Sequence, residues 1–465
     1  MDQRKRQHQG GRPELVRARV RHGLTQEQAA ELIGVSTTTW ARWERGEQSV
    51  RPVYRARLSE AWQVEAAEVE RWLEAASPAG EVPGEDCIDE VDLAACGADG
   101  VDQLWRWEMD ASRRHLLAAL PFAPGLLGEW LLAWRYDATI GSAAGEAAAV
   151  AAGGSRVGWA DVQRVQEAHR AFIQMDHQFG AGLVRPAVTD FMNVTLAPLL
   201  RGRYREDVGR ALMSAAARIS RTAGWMAFDL GAHGQAQQHL GQALKLAKQA
   251  DDDLTSAWIL AALAQQACDL DHGRWAIRLT GAAIEAGRRG HASPRVMALL
   301  HLRRARAFAV AAGTEQPDTF TRRRVADLLA EAEHTYTPAT REDDPAWIAA
   351  FGPAELAAEV GYCWHRVGEH QRAADHAEQA LAGFAPTYLR SIQFNRVHAA
   401  QARLDLGDLD GALAHARPAV RAAKELTSAR AVAQVRDFAT RLTQRHRSHP
   451  DAREFADHLR AELGT

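Results

Sequence analysis

The chain has 465 residues, of which 46% are hydrophobic, so it can form more than one domain with an apolar core. It has no run of about 18 apolar residues, and no apolar segment follows its basic N-terminus, which argues against a membrane span and a signal peptide. The net charge is −3, but the first 60 residues hold twelve basic and seven acidic residues, which gives +5 there and −8 in the remainder. A basic head on an acidic body indicates that only the head contacts phosphates.

Short helices are predicted within residues 1–76. The first extends over Pro13–His22, and Val53–Ala76 forms one or two more. Two further helices joined by a tight turn lie between them. Thr25 is a suitable N-cap for the earlier of these, and Gly34 ends it because glycine enters a left-handed turn at little cost. Its apolar face is predicted to consist of Ala29, Ala30, Leu32 and Ile33.

The second of these two helices is predicted to begin after Ser36, its N-cap, and to end near Arg45. Trp40 and Trp43 lie three positions apart and therefore face the core together. The side chains that remain outside are Thr37, Thr38, Thr39, Arg42 and Arg45. This arrangement is typical of a helix-turn-helix, in which the second helix enters the major groove of DNA.

A longer motif runs through both helices and consists of Thr25, Gln26, Glu27, Ala30, Gly34, Val35, Ser36, Trp43, Glu44 and Gly46. With this motif the stretch resembles the Cro/cI-type (xenobiotic-response-element) family. The resemblance implies that double-stranded DNA is the partner. The residues expected to contact DNA are Gln26, Ser36, Thr37, Thr38, Thr39, Arg42 and Arg45. A small helical domain used for protein contact is the other interpretation.

The region after the head is predicted to be a linker followed by a helical connection. Residues 77–104 form the acidic linker, which is rich in Asp, Glu and Gly and serves either as a solvated spacer or as a strap that competes with DNA. Residues 105–205 form the connecting region, in which a segment near 138–158 is rich in Ala and Gly and expected to be flexible.

The remainder, residues 206–465, shows a repeat with a period near 40 residues. Anchor alanines lie 40 residues apart at Ala236 and Ala276, and 39 apart at Ala373 and Ala412. Arg295–Gly313 and Arg322–Tyr336 indicate another helix pair. The pattern resembles the tetratricopeptide repeat, an antiparallel helix pair in which small residues let the two helices touch. The predicted fold is therefore all-α: a small five-helix helix-turn-helix domain followed by an α-solenoid of tetratricopeptide-like helix pairs.

The two parts together resemble a group of bacterial regulators, most closely those of high-GC actinobacteria, and also the peptide-sensing quorum regulators of Gram-positive bacteria. The resemblance implies that the repeat domain forms a homodimer and senses an effector. In the repeat register, first-helix positions near the small residues face the concave side. The candidate ligand-binding residues on this side are Trp225, Gln265, Tyr362, His365 and Gln401, and Asn395 is a further candidate one position off this face. Packing between helices is the competing role for each of them.

Sequence motifs of enzymes and metal sites are absent. The chain has no His-Glu-x-x-His, P-loop, Gly-x-Ser-x-Gly or dinucleotide-binding motif, and its four cysteines form no Cys-x-x-Cys. We therefore expect no catalytic residues, no cofactor and no metal, and free cysteines of this kind fit a reducing cytoplasm. The predicted function is a cytoplasmic, sequence-specific transcriptional regulator whose repeat domain dimerises and senses a peptide, a small molecule or a protein partner. The alternative is an interaction scaffold whose head domain only localises it.

Overall fold

The computed structural model describes residues 12–22, 24–45, 50, 52–62, 64, 66–73, 104–106, 108–110, 117–136, 155–313, 317–339, 341–342, 344–426 and 428–464. Most of these residues are helical, and the β pairing among them is an isolated bridge between Arg156 and Arg203, so the all-α prediction is confirmed. No helix in this part of the chain has both the length and the apolar character needed to cross a membrane. The predicted linker, except for Leu104, and residues 138–154 of the Ala/Gly-rich segment lie outside the described residues.

Five helices form the N-terminal part, as predicted. They are α1 (Pro13–Arg21), α2 (Gln26–Ile33), α3 (Thr37–Glu44), α4 (Pro52–Trp62) and α5 (Ala66–Leu73). Thr25 caps α2 in a capping box with Gln28, and Ser36 caps α3 by accepting from the backbone N–H of Thr39. Gly34 ends α2 at a φ of 77°, the left-handed conformation expected from the sequence.

The core of this part is rich in tryptophan. Its largest buried side chains are Leu15, Ile33, Trp40, Trp43, Leu58, Trp62 and Trp72. The ring of Trp40 contacts those of Trp43 and Trp62 at centroid distances of 5.8 and 5.9 Å. The prediction was wrong for Leu32, whose side chain is 51% exposed. At roughly 100° per residue, Leu32 is about 200° around α2 from the buried Ala30, so it points away from the core.

Among the described residues that follow α5 and precede the repeats in the sequence, four helices are present. They are α6 (Pro124–Tyr136), α7 (Trp159–Phe179), α8 (Ala181–Phe191) and α9 (Ala197–Leu200). A π-helical turn at Met192–Leu196 joins α8 to α9. Within this turn Asn193 donates its side-chain amide to the carbonyl oxygen of Trp105 at 2.7 Å, which fixes residues 104–106 beside it.

The remaining helices pack in six consecutive hairpins. Their members are α10 (Glu206–Asp229), α11 (His233–Gln249), α12 (Asp253–Asp269), α13 (Gly273–Arg289), α14 (Pro294–Ala311), α15 (Thr319–Thr335), α16 (Pro353–Arg366), α17 (His370–Gly383), α18 (Leu389–Asp405), α19 (Leu409–Glu425), α20 (Ala429–Arg445) and α21 (Pro450–Leu463). A short 3-10 helix, Ala346–Ala350, lies between α15 and α16.

Small residues set the spacing within the hairpins, as the repeat pattern predicts. The four anchor alanines lie on α11, α13, α17 and α19 and are buried. A Cβ atom on Gly224 of α10 would lie 3.1 Å from the carbonyl oxygen of Ala236, and one on Gly361 of α16 would lie 3.2 Å from that of Ala373. The same close approach therefore recurs in two repeats.

The chain divides into two compact units. The N-terminal unit is Met1–Val91 with Ala123–Glu129, and the repeat unit is Asp92–Phe122 with Trp130–Thr465. The domain bounds expected from the sequence, at residues 76, 104 and 205, remain predictions.

Candidate functional site

The outer face of α3 carries five of the seven residues predicted to contact DNA. Ser36, Thr37, Thr38, Arg42 and Arg45 are exposed. The side chain of Arg42 makes no ion pair or hydrogen bond with any described residue, so its guanidinium is available to an external anion. Short hydroxyl side chains at the start of the helix and a cation near its end can reach base edges and phosphates.

The other two predicted residues, Gln26 and Thr39, are half-buried and bonded within the N-terminal unit. The side-chain amide of Gln26 donates to Oε2 of Glu44 at 2.5 Å. The hydroxyl of Thr39 lies 2.9 Å from that of Ser36. The structure therefore groups the remaining five on one surface and holds these two against their own neighbours.

Glu44 holds α3 in place, a role that the sequence analysis missed. Its side chain is only 5% exposed, and its carboxylate accepts from Nε of Arg19 at 2.6 Å and from Nε1 of Trp40 at 2.7 Å, as well as from Gln26. From the sequence, a glutamate in the last turn of a helix is normally expected to be exposed to solvent. The sequence signal available was its place directly after a tryptophan of the core.

Part of the positive charge of the head is also used internally. Arg12 donates to the carbonyl oxygens of Leu73 at 2.8 Å and Trp43 at 3.1 Å, which ties α1 to α5 and α3. Arg57 donates to the carbonyl oxygen of Ile33 at 3.1 Å and thereby caps the C-terminus of α2. With Arg19 also paired internally, the exposed charge of this unit is concentrated on fewer side chains than the sequence suggested.

The repeat unit contains a cavity of about 820 Å³. Its wall is formed by α7, α10, α12, α14, α16, α18, α20 and the 3-10 helix. Four of the six predicted ligand-binding residues line it, namely Trp225, Gln265, Tyr362 and Asn395. His365 and Gln401 are not among the lining residues.

His365 instead belongs to a small polar cluster. Its Nε2 lies 2.8 Å from Oδ2 of Asp405, and His370 lies beside the same carboxylate, which gives a group of ligand-type atoms close enough together for a metal ion. Arg441 and Arg445 also pair with Asp405. Burial acts to raise the pKa of Asp405, but the hydrogen bond from His365 and the charge of Arg441 lower this pKa below its usual range. Two guanidinium groups on one carboxylate disfavour a further cation there.

Ion pairs on the cavity wall join helices that are distant in the sequence. Arg303 pairs with Glu359 at 2.6 Å, and Arg306 pairs with Asp269 at 2.9 Å. Asp269 also pairs with Arg430 at 2.8 Å. These charges lie among aromatic rings, so the pairs are shielded from water and matter more than exposed ones.

The predicted ligand-binding residues take part in this network. Gln265 accepts from Arg303 at 2.7 Å and donates to Asp269 at 2.8 Å. The guanidinium of Arg306 lies 3.5 Å from the ring centroid of Tyr362. Asn395 donates to the carbonyl oxygen of Ser391 in its own helix, while its Oδ1 is hidden from solvent and has no hydrogen-bond partner. An unpartnered buried acceptor that lines a cavity is suited to a ligand donor.

Residues 14–72 match a family model described as a helix-turn-helix domain. They form a helix-turn-helix domain. A solved structure of a Rap protein complexed with competence and sporulation factor is similar to this chain, with a TM-score of 0.38 and 13% identity over 65% of this chain and 88% of that one. No curated protein matches the chain. The architecture of the repeat unit therefore rests on its own hairpins.

A buried histidine in the cavity wall makes the stability of the repeat unit depend on pH. Burial, together with the charges of Arg218 and Arg221, lowers the pKa of His169 to about 3. In the unfolded chain its pKa is about 6.5. Between these values the unfolded state binds a proton that the folded state does not, so stability is greatest above about pH 6.5 and falls as the pH falls.

We expect His169 to reduce the free energy of unfolding by about 1.4 kcal/mol for each pH unit below its unfolded pKa. The measurement is the urea midpoint of the wild type and of His169→Gln at about pH 7.5 and about pH 5.5. The urea midpoint of His169→Gln should differ less between the two pH values than that of the wild type. His334→Gln, at an exposed histidine, is the control and should behave as the wild type. Equal pH dependence in all three proteins would contradict the expectation.

Proposed function

We propose that this protein is a cytoplasmic, sequence-specific transcriptional regulator of the Cro/cI type, in which the N-terminal unit binds DNA and the repeat unit dimerises and binds an effector. The observation that carries the proposal is the outer face of α3, where exposed hydroxyls and the unpaired Arg42 follow the turn of a helix-turn-helix domain. The proposed role is regulatory and includes no catalytic step.

The packing of α3 supports DNA recognition by this face. Trp40 and Trp43 are fully buried, and the internal hydrogen bonds of Glu44 fix the rotation of the helix about its axis. The outer side chains are therefore presented at fixed positions, which reduces the entropy lost on binding. Threonine can donate to or accept from several bases, so most of the base discrimination is assigned to Arg42.

A homodimer would place two copies of α3 about 34 Å apart, on half-sites separated by one turn of DNA. The operator is then expected to be an inverted repeat. Effector binding in the cavity of the repeat unit would change the spacing of the heads only if two conformations bind the effector with different affinity. The cavity of the repeat unit has a volume of about 820 Å³, which lies within the range of cavities that hold small organic ligands.

The test begins with the genome-wide DNA occupancy of the tagged protein. Peaks that share an inverted repeat and are lost when Thr37, Thr38 and Arg42 are all changed to alanine would support the proposal. Absence of peaks for the wild type, together with a stoichiometric protein partner on the repeat unit, would overturn it in favour of a scaffold.

On the operator found in this way, we expect Arg42→Ala to weaken binding about tenfold or more, because a bidentate arginine contact with guanine discriminates by roughly 1–3 kcal/mol. Binding to unrelated DNA should fall less, so the preference for the operator over unrelated DNA should decrease. Lys5→Ala, in the basic segment that precedes α1, should weaken binding to all DNA equally and reduce the slope of the salt dependence by about one. Competition binding at several salt concentrations measures both effects. Identical behaviour of the two variants would show that Arg42 does not contact bases.

A further inference from the structure

Seven arginines line the cavity of the repeat unit, counted over the described residues. Five of them share five carboxylates. Arg303 and Arg306 pair with Glu359 and Asp269, Arg390 and Arg430 pair with Asp176, Asp229 and Asp269, and Arg218 pairs with Asp252. The other two, Arg170 and Arg221, pair with no carboxylate in the described part of the chain. Arg170 is exposed, so water can solvate it, but Arg221 is not.

Arg221 is held inside the cavity by two indole rings. Its guanidinium carbon lies 4.0 Å from the ring centroid of Trp258 and 4.9 Å from that of Trp225. Its Nε atom is hidden from solvent and has no hydrogen-bond partner. Burial, and then the charge of Arg303, lower the pKa of Arg221 to about 9, because its surroundings oppose its charge. A half-buried cation with no counter-ion is costly, and an anion placed beside it would reduce that cost.

The nearby carboxyl groups do not fill this role. The carboxylate of Asp176 is already bonded to Arg390 at 3.0 Å. Glu355 also lines the cavity, but its carboxylate accepts from the hydroxyl of Ser391, and burial and the neighbouring Glu359 raise its pKa. Apart from the exposed Arg170, the positive charge left on the wall is therefore located on Arg221.

A flat apolar surface lies next to this charge. The rings of Trp258 and Trp347 stack at a centroid distance of 5.0 Å with an interplanar angle of 6°. Trp347 comes from the 3-10 helix between α15 and α16, and Phe351 and Phe394 also line the cavity. Aromatic walls of this kind pack well against a planar or apolar body.

We propose that the cavity binds a small organic monocarboxylate, whose carboxylate pairs with Arg221 and whose apolar body packs against the aromatic wall that Trp258 and Trp347 form. The planar guanidinium group matches a carboxylate through two parallel hydrogen bonds. One unpaired cation balances one negative charge. A phosphate monoester would bring nearly two negative charges close to Asp176, whose carboxylate would repel the second charge. The proposal rests on the effector-binding part of the proposed function and names its ligand class.

The test measures binding of a panel of probes by calorimetry and by thermal shift of the full-length protein. The panel consists of benzoate, naphthoate and indoleacetate, the matched amides benzamide, naphthamide and indoleacetamide, and phenyl phosphate. We expect at least one carboxylate to bind about tenfold or more tightly than its amide, because the amide lacks the charged hydrogen bonds to the guanidinium and the loss of one such bond lowers affinity by about this factor. Phenyl phosphate should bind more weakly than benzoate. Failure of every carboxylate to exceed its own amide would overturn the proposal.

Two variants test Arg221 itself. Arg221→Gln should abolish the preference for the carboxylate over the amide, whereas Arg221→Lys should retain part of it, because lysine keeps the charge but not the planar pair of donors. Arg210→Gln, at an exposed arginine of the same helix that pairs with Glu206, is the matched control and should keep the full preference. Circular dichroism confirms that each variant is folded. A full preference in Arg221→Gln would show that Arg221 only packs between the indole rings and would overturn the proposal.

The same samples distinguish this inference from the proposed function. Operator binding with no preference for carboxylates would reject the ligand class alone. Carboxylate binding that depends on Arg221, in a protein with no sequence-specific DNA binding, would reject the DNA-binding function and leave the ligand site standing.

Discussion

Glu44→Ala should leave the N-terminal unit largely unfolded under conditions in which the wild type is folded. The change removes the shared acceptor of Arg19, Trp40 and Gln26, and the buried guanidinium of Arg19 loses its carboxylate. Removal of one partner from a buried pair costs about 3–5 kcal/mol. Whole domains are stable by only about 5–15 kcal/mol, and a unit of five short helices lies near the lower limit.

Hydrogen exchange read by mass spectrometry measures this effect separately from the repeat unit. Backbone amides of α2 and α3 should lose most of their protection in Glu44→Ala, while those of α10 to α21 keep theirs. Glu31→Ala is the matched control, because Glu31 is exposed on α2 and its side chain makes no bond with a described residue. Unchanged protection of α3 would mean that the tryptophan core alone holds the unit together.

The second large effect is expected from Arg390→Gln in the repeat unit. Arg390 lies on α18 and donates to Asp176 of α7 at 3.0 Å and to Asp229 of α10 at 3.4 Å. Burial acts to lower the pKa of Arg390, but the two carboxylates raise it above its usual value. The variant leaves both carboxylates buried with less compensation, since Arg430 at 3.5 Å is then the one described cation paired with Asp229. We expect a loss of about 3–5 kcal/mol in the free energy of unfolding.

Urea denaturation followed by near-ultraviolet circular dichroism is the measurement, because it reports tertiary packing around the tryptophans of the cavity. Arg417→Gln serves as control, since Arg417 pairs with Glu454 at the surface and its loss should cost no more than about 1 kcal/mol. If the two variants unfold at the same midpoint, the ion pairs of the cavity wall do not stabilise the unit.

The helices of the N-terminal unit could be predicted because their signals are local. Thr25, Ser36 and Gly34 act within three or four residues of themselves, through capping hydrogen bonds and a left-handed turn. The hairpins could be predicted for a similar reason. Each repeat packs mainly on its neighbours, so small residues such as Gly224 and Ala236 recur at a fixed spacing.

The concave side was predicted in part. Trp225, Gln265 and Tyr362, which the repeat register places on the concave side, line the cavity, since a helix face follows from periodicity, and Asn395, one position off that face, lines it too. Their role in ligand binding stays a prediction. The repeat register did not separate His365, which belongs to the cluster around Asp405. His365 and the cavity-lining residues all lie on inward-facing helices. Whether such a side chain lines the cavity depends on which neighbouring helix covers it.

The amino-acid sequence by itself therefore determined the helices, their pairing and the outer face of α3, because these depend on hydrogen bonds and contacts within one hairpin. The tertiary structure alone decided the state of the buried charges. Arg390 meets Asp176 across 214 residues, Arg430 meets Asp269 across 161, and Arg221 is left without a carboxylate. No sequence spacing encodes these outcomes, since they arise only where α7, α10, α12, α18 and α20 converge on one cavity. The same convergence places Arg221 between two indole rings, with no carboxylate of the described residues bonded to it, and a cation in such a place favours an anion.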